Sequence, residues 1–279
     1  MAPVTICFRG IKLIFEDTYM TNFSQIKMII WDMDQTLYPY WEDFADYCHE
    51  ATAHCALAEK IPLTKTDADT LSRISYQMRG VTTRLFNEHY NLDEIKLFQA
   101  HHQRMIERLI EPNWRDKIQA NPDLVALMAE AQNAGVRQVI LTNGSRGWAQ
   151  HIAKLQNIEQ FMDVIMGADD FDLRQKGKDG ILPFMAVLGK ADYAGVYDEV
   201  LVVEDSLGNM MAPKEYGMKT AWVQWGHPEY HKWDKPDYVD AVCERPNDVL
   251  LKWKKDISQP PVIPRKNLSI SPHMPLPKI

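Results

Sequence analysis

The stretch that decides the fold is KMIIWDMDQTLYP, residues 27–39. Its first part, KMIIW, is a continuous apolar run rich in β-formers, short enough to be a strand buried on both faces. It ends at Asp32, and Asp34 follows two residues on. A side-chain period of two puts both carboxylates on one side if the strand continues, whereas a turn starting there leaves Asp34 unaligned with Asp32. Two carboxylates held together repel, so their convergence calls for a cation or a shared proton. Taken alone, the pair reads equally as a capping Asp and a turn Asp.

Working outward, residues 41–110 change character. Apolar residues recur at three- and four-residue spacing, as in Phe44, Tyr47, Cys48 and Ala51, with Pro62 and Gly80 as punctuation. This predicts an all-helical insert of three to five helices. Alternation then sets in. A helix is expected over 122–134, with Asn121 as N-cap and Gly135 as stop, followed by the strand VRQVILT at 136–142. Further strands are expected at 163–167, 199–205, 219–225 and 237–242, separated by helices at 148–156, 183–188 and 207–216. Such alternation predicts an α/β domain, a parallel sheet with helices on both faces. The organisation read from this is a core of residues 27–40 and 111–257 and a helical cap of 41–110. Residues 1–26 form an extension of uncertain role, and the proline-rich 258–279 is expected to be disordered.

In open parallel sheets, ligands bind beyond the carboxyl ends of the strands. Three more segments carry polar residues there. VILTNGS (139–145) ends a strand at Thr142, and the turn at Asn143 and Gly144 offers backbone N–H groups to an anion. RQKGKDGILPF (174–184) supplies Lys176 and Lys178 as candidates to neutralise a phosphate. VLVVEDSLGNM (200–210) places Glu204 and Asp205 after four apolar residues, with Asn209 a helical turn on, and hard oxygen ligands of this kind suit Mg²⁺. Each segment also has an ordinary reading as a turn, a solvated loop or a helix cap. Those readings do not explain why all four occur in the order one phosphate site requires.

The set resembles the haloacid dehalogenase superfamily of phosphohydrolases. DMDQT matches the DxDxT signature at 32–36, LTNGS the strand-then-Thr/Ser motif at Thr142, and EDSLGN the acidic motif at 204–209. Lys178 takes the place of the family lysine because Phe184 follows it six residues later, although Asp179 stands where proline is usual and Lys176 competes for the role. The resemblance implies a Rossmann-like core with a helical cap inserted after the first strand. It implies that Asp32 attacks phosphorus and that Asp34 is acid and then base. It also implies that Thr142, Asn143 and Lys178 hold phosphoryl oxygens. Mg²⁺ would lie between the Asp32 side chain, the Asp34 main-chain carbonyl and Asp205, with Glu204, Asn209 and Lys176 as additional candidates. The dehalogenase branch lacks a carboxylate at the Asp34 position, so Asp34 favours phosphate esters.

The form DMDQTLYP, together with the loosely similar cap stretch RGVTTRLFNEHYNL (79–92), resembles the pyrimidine 5′-nucleotidase-like branch, whose members carry Asn where this chain has Gln35. A small phosphorylated metabolite such as a pyrimidine 5′-nucleotide is therefore the expected substrate. Arg79, Arg84 and His89 are candidates to reach it, or belong to a solvated face. Alternatives are a phosphomutase or phosphonatase of the same superfamily, or a non-catalytic phosphate-binding module. The aromatic stretch 221–238 reads as a partly buried closing loop or a dimer contact, with a metal or base-stacking site as the rival.

The chain has 279 residues and a net charge of −7, and no long basic run, so a nucleic acid polymer or an anionic membrane is not the expected partner. No apolar run reaches the ~18 residues of a bilayer span, and the N-terminus lacks a signal-peptide pattern. The four cysteines contain no CxxC pair and are too sparse for a disulfide framework, which points to a reducing, cytoplasmic setting.

Overall fold

The computed structural model describes residues 22–259 and the backbone of two strands that precede them. Those strands, β1 (Val4–Phe8) and β2 (Ile11–Phe15), form an antiparallel pair. The proline-rich segment from Pro260 lies outside the described residues, so the expectation made for it is not addressed.

The main sheet has six strands, β3 (Met28–Trp31), β4 (Arg137–Leu141), β5 (Val164–Met166), β6 (Val200–Glu204), β7 (Lys219–Val223) and β8 (Ala241–Cys243). All are parallel, in the order β5-β4-β3-β6-β7-β8. The last strand is shorter and later than the 237–242 expected, because Tyr238 and Asp240 are drawn into side-chain contacts with Thr220 before pairing begins.

Alternate strand residues serve opposite faces. Ile29, Trp31, Ile140 and Val203 pack with Trp148 and Leu250 on one side. Met28, Ile30, Val139 and Val202 pack with Phe184 and Val187 on the other. The covering helices are α6 (Pro122–Asn133), α7 (Arg146–Leu155) and α10 (Pro246–Ser258) on the first face and α8 (Leu182–Lys190) on the second. Burial on both faces explains why the strands read as unbroken apolar runs. Asn121 caps α6 through its side chain, as its position suggested.

Between β3 and β4 the chain forms α1 (Phe44–Ala58), α2 (Lys65–Arg79), α3 (Arg84–Tyr90) and α4 (Glu94–Arg108), then the short α5 (Pro112–Arg115). Thr64 and Asp93 cap α2 and α4 by accepting backbone N–H bonds. The insert has its own apolar cluster around Ala53, Ala56, Ala68, Phe86 and Leu97. It closes over the carboxyl ends of the strands, where α4 meets α7. The remaining helix, α9 (Leu207–Glu215), follows β6.

Candidate active site

The three central strands β4, β3 and β6 end side by side, which places Thr142, Asp32 and Glu204–Asp205 together at one sheet edge. Asp32 continues the ladder through its N–H to the Val203 carbonyl, and Thr142 does so to Met166. Beyond Asp32 the chain turns at once, with Gln35 in the left-handed region at φ 61°. Asp34 therefore departs from strand alternation, and its carboxylate reaches the site through the turn.

The floor is built on a buried lysine. Lys176 Nζ is ion-paired with Asp32 Oδ1 and lies 2.7 Å from Glu204 Oε1, and all three side chains are buried. Thr36 Oγ1 donates to the other Asp32 oxygen at 3.1 Å. Glu204 is fully committed: Asn209 Nδ2 also donates to Oε1, and Ser206 N–H donates to Oε2 at 2.8 Å. Asn143 holds the lysine from above, its Oδ1 accepting the Lys176 backbone N–H at 2.8 Å.

Electrostatics follow from one ammonium facing several buried carboxylates. Burial opposes the charge on Glu204, but Lys176 prevails and holds it below the usual carboxylate range. Burial would lower Lys176, and the Asp32 and Glu204 charges raise it instead, so it stays an ammonium. Asp32 is pushed up to about 7 by burial and by Glu204, with Lys176 only partly offsetting them. Asp205 is raised well above its ordinary range by burial, Glu204 and Asp32. Excess buried carboxylate is what a hard divalent cation relieves. Asp32, Glu204 and Asp205 each offer a carboxylate oxygen, and these lie within 4.8 Å of one another. The donor set fits Mg²⁺. Asp32 and Asp205 would hold it, since the Glu204 oxygens are already engaged.

Asp34 sits beside this floor. Its Oδ1 accepts from Tyr38 Oη and, at 2.7 Å, from Trp148 Nε1. Its Oδ2 accepts from Thr142 Oγ1 at 3.2 Å, and that hydroxyl in turn accepts the Gly144 N–H at 2.9 Å. From the insert, His102 donates through Nδ1 to the Phe98 carbonyl at 2.8 Å, which leaves Nε2 to accept from Ser145 N–H. A cavity of about 220 Å³ lies between insert and core, with Asp32, Asp34 and Asp205 at its base.

A model of the haloacid dehalogenase-like hydrolases matches residues 26–217, more than half of the chain. The chain belongs to this family. Among curated relatives, the phosphoglycolate phosphatase of Aquifex aeolicus (strain VF5) is 20% identical over 226 residues, covering 81% of this chain and 95% of its own. The structure of CbbY from Rhodobacter sphaeroides in complex with phosphate superposes with a TM-score of 0.56 at 18% identity, covering 82% of this chain and 99% of that one. A HAD phosphatase from Thermococcus onnurineus superposes with a TM-score of 0.53 at 16% identity, covering 82% and 97%. At such identities the structural likeness shows the shared fold. The two curated relatives carry phosphatase and pyrophosphatase names, the second a putative pyrophosphatase PpaX from Caldanaerobacter subterraneus, of whose length about half is spanned.

The structure places the two candidate lysines differently. Lys178, the expected phosphate lysine, is exposed and lies against Gly80 of the insert. Lys176 takes the buried position. The cause is Gly177, whose φ of +79° turns the chain between the two lysines. A Cβ there would lie 2.6 Å from Asn209 Oδ1, so the turn is also pressed against the acidic motif. Asp179 closes it by accepting the Gln175 N–H at 2.7 Å.

The substrate candidates on the insert are likewise placed elsewhere. Arg79 pairs with Glu88, Arg84 pairs with Glu94, and His89 is exposed; none of the three lines the cavity. Trp148, Tyr38, His101 and His102 were not singled out from the sequence. The aromatic loop is partly buried: Tyr230 stacks on His227 at 3.5 Å, and its hydroxyl donates to Asp205 Oδ2 at 3.3 Å. Among the described residues no helix is long and apolar enough to cross a membrane.

Proposed function

We propose that the protein is a Mg²⁺-dependent phosphomonoester hydrolase that works through an aspartyl-phosphate on Asp32. The observation that carries this reading is the placement of Asp32. It ends the central strand, fixed by Thr36 and Lys176, next to Asp205 and with a second carboxylate, Asp34, at the same cavity. Mg²⁺, when bound, offsets the repulsion between the carboxylate and the incoming phosphate.

The Asp32 carboxylate attacks phosphorus; an O–P bond forms to Asp32 as the bond to the leaving oxygen breaks. Asp34 in its protonated form gives its proton to that oxygen. Water then attacks the phosphoenzyme, Asp34 takes the water's proton, and phosphate leaves with Asp32 restored. The 142–144 turn faces the phosphoryl oxygens with positioned donors, the arrangement that stabilises transferred charge, and Lys176 fixes the attacking carboxylate from below. Tyr38 and Trp148 hold Asp34 in place for both proton transfers.

A pyrimidine 5′-nucleotide remains the favoured substrate, on the likeness of DMDQTLYP and the 79–92 stretch to that branch. The reading is tested by phosphate release from UMP, CMP, dTMP, purine nucleotides, sugar phosphates and phosphoglycolate, with and without Mg²⁺. Turnover that needs Mg²⁺ and vanishes in Asp32→Asn supports it. Equal turnover by the variant overturns the covalent route.

A further inference from the structure

The wall of the cavity is chemically unlike its floor. Phe44 and Cys48 from α1, Val81 after α2, and Phe98 from α4 give apolar surface. Tyr76, Thr82, His49, His101 and Gln175 give neutral hydrogen-bonding groups. The carboxyl groups that line it, those of Asp32, Asp34 and Asp205, all lie at the base. Among the described residues, no lysine or arginine lines this cavity; Lys178 approaches its edge against Gly80 without joining the lining. The arginines of α2 and α3 are taken up outside it, Arg73 by Asp46 and Asp69, Arg79 by Glu88 and Arg84 by Glu94. Lys176 is spent below the floor on Asp32 and Glu204.

Resting on the phosphomonoesterase reading above, we infer that the cavity selects esters whose leaving group is small and uncharged, and rejects substrates carrying a second anionic group. A carboxylate or second phosphate on the leaving side would face a wall whose lining side chains carry no counter-charge, and a charge drawn out of water without a partner is disfavoured. The histidines do not supply one. Burial lowers His101 well below the ordinary imidazole range and lowers His102 and His49 as well, so the wall stays neutral near pH 7. The volume of about 220 Å³ falls below the roughly 300–1,000 Å³ typical of drug-sized ligands, which limits the leaving group to a small one. Thr82, Tyr76 and Gln175 offer partners to hydroxyl or amide groups, and Phe44 and Phe98 offer faces to an apolar or planar portion. A nucleoside or a small polyol has this character; glycolate does not, although a relative bears the name phosphoglycolate phosphatase.

The test uses a matched pair, 2-hydroxyethyl phosphate and phosphoglycolate, which differ on the leaving side by a hydroxymethyl group against a carboxylate. UMP and p-nitrophenyl phosphate report on general activity. The expected result is a kcat/KM for 2-hydroxyethyl phosphate on the order of 100-fold above that for phosphoglycolate. Tyr76, which lines the cavity and is 55% exposed, accepts a charge without burying it. Tyr76→Lys should shrink the ratio of the two kcat/KM values at least about tenfold. Lys178→Ala should leave the ratio unchanged. Phosphoglycolate turned over as well as its neutral partner overturns the inference and spares the phosphatase reading, as does a selective loss of phosphoglycolate turnover in Lys178→Ala. An unchanged ratio in folded Tyr76→Lys overturns it too. No Mg²⁺-dependent turnover of any compound, UMP and p-nitrophenyl phosphate included, overturns the phosphatase reading itself.

Discussion

Lys176 Nζ lies 2.7 Å from Glu204 Oε1, a contact between two side chains that are almost wholly withdrawn from water. The same ammonium holds Asp32, so Glu204 sets the position of the lysine that sets the position of the nucleophile. Removing one partner of a buried pair costs about 3–5 kcal/mol, because the other charge is left uncompensated. Lys176→Met is therefore expected to lower stability in urea by about that amount and to reduce kcat by about two to three orders of magnitude, on the scale of a lost preorganised donor. Lys178→Ala, at an exposed position, should stay within about twofold of wild type. Steady-state rates of the two variants decide between the lysines, and the reverse order would remove Lys176 from the site.

Spacing along the chain could not make that distinction. Counting back from Phe184 points to Lys178, but the left-handed turn at Gly177 reverses which lysine faces inward. The strand-end carboxylates were easier to find, since a buried strand fixes where its last residue goes. For the same reason the sheet and its helices were largely readable from apolar runs and caps such as Asn121. Side chains that meet across the fold left no local signal: Trp148 reaches Asp34 from 114 residues away. Arg79 and Arg84 were candidates for substrate because their acidic partners stand beyond the i+4 neighbours that helix spacing reveals.

Trp148 Nε1 donates to Asp34 Oδ1 at 2.7 Å, and Tyr38 donates to the same oxygen. A hydrogen bond to a charged group contributes about 1.5–3 kcal/mol. Trp148→Phe keeps most of the ring in its pocket and removes the donor. It should lower kcat by roughly tenfold or more with little change in KM. A purely structural tryptophan would change thermal stability and leave kcat and KM close to wild type.

Gln35 adopts φ 61° in the turn between the two aspartates. A long side chain in the left-handed region costs about 1–2 kcal/mol, and Asn pays less because its short amide bonds locally. Gln35→Asn should therefore stabilise the protein by about 0.5–1 kcal/mol in urea and keep activity. Destabilisation would mean that the Gln35 amide, at the cavity rim, makes a contact worth more than the strain.

His101 is buried against His102, and burial lowers both below the ordinary imidazole range. The unfolded chain then binds protons that the native state refuses as pH falls below about 6.5. Their contribution is fully present above that value and is lost as pH falls toward the folded-state values, by up to about 1.4 kcal/mol per pH unit for each histidine. The difference in urea stability between wild type and His101→Gln should narrow on acidification. A difference independent of pH between 7 and 5 would show that His101 is not held neutral.

Mg²⁺ should bind the native state and raise its stability by about 2.7 kcal/mol at a hundred times its Kd. Asp205→Asn removes a ligand oxygen charge and should abolish that gain. Glu204→Gln should behave differently, because both Glu204 oxygens already accept from Lys176, Asn209 and Ser206. It should retain most of the Mg²⁺-induced rise in thermal midpoint while losing activity through a displaced Lys176. Scanning calorimetry of both variants with and without Mg²⁺ separates the two roles. Loss of the metal response in Glu204→Gln as complete as in Asp205→Asn would make Glu204 a ligand, with Lys176 giving way when the metal enters.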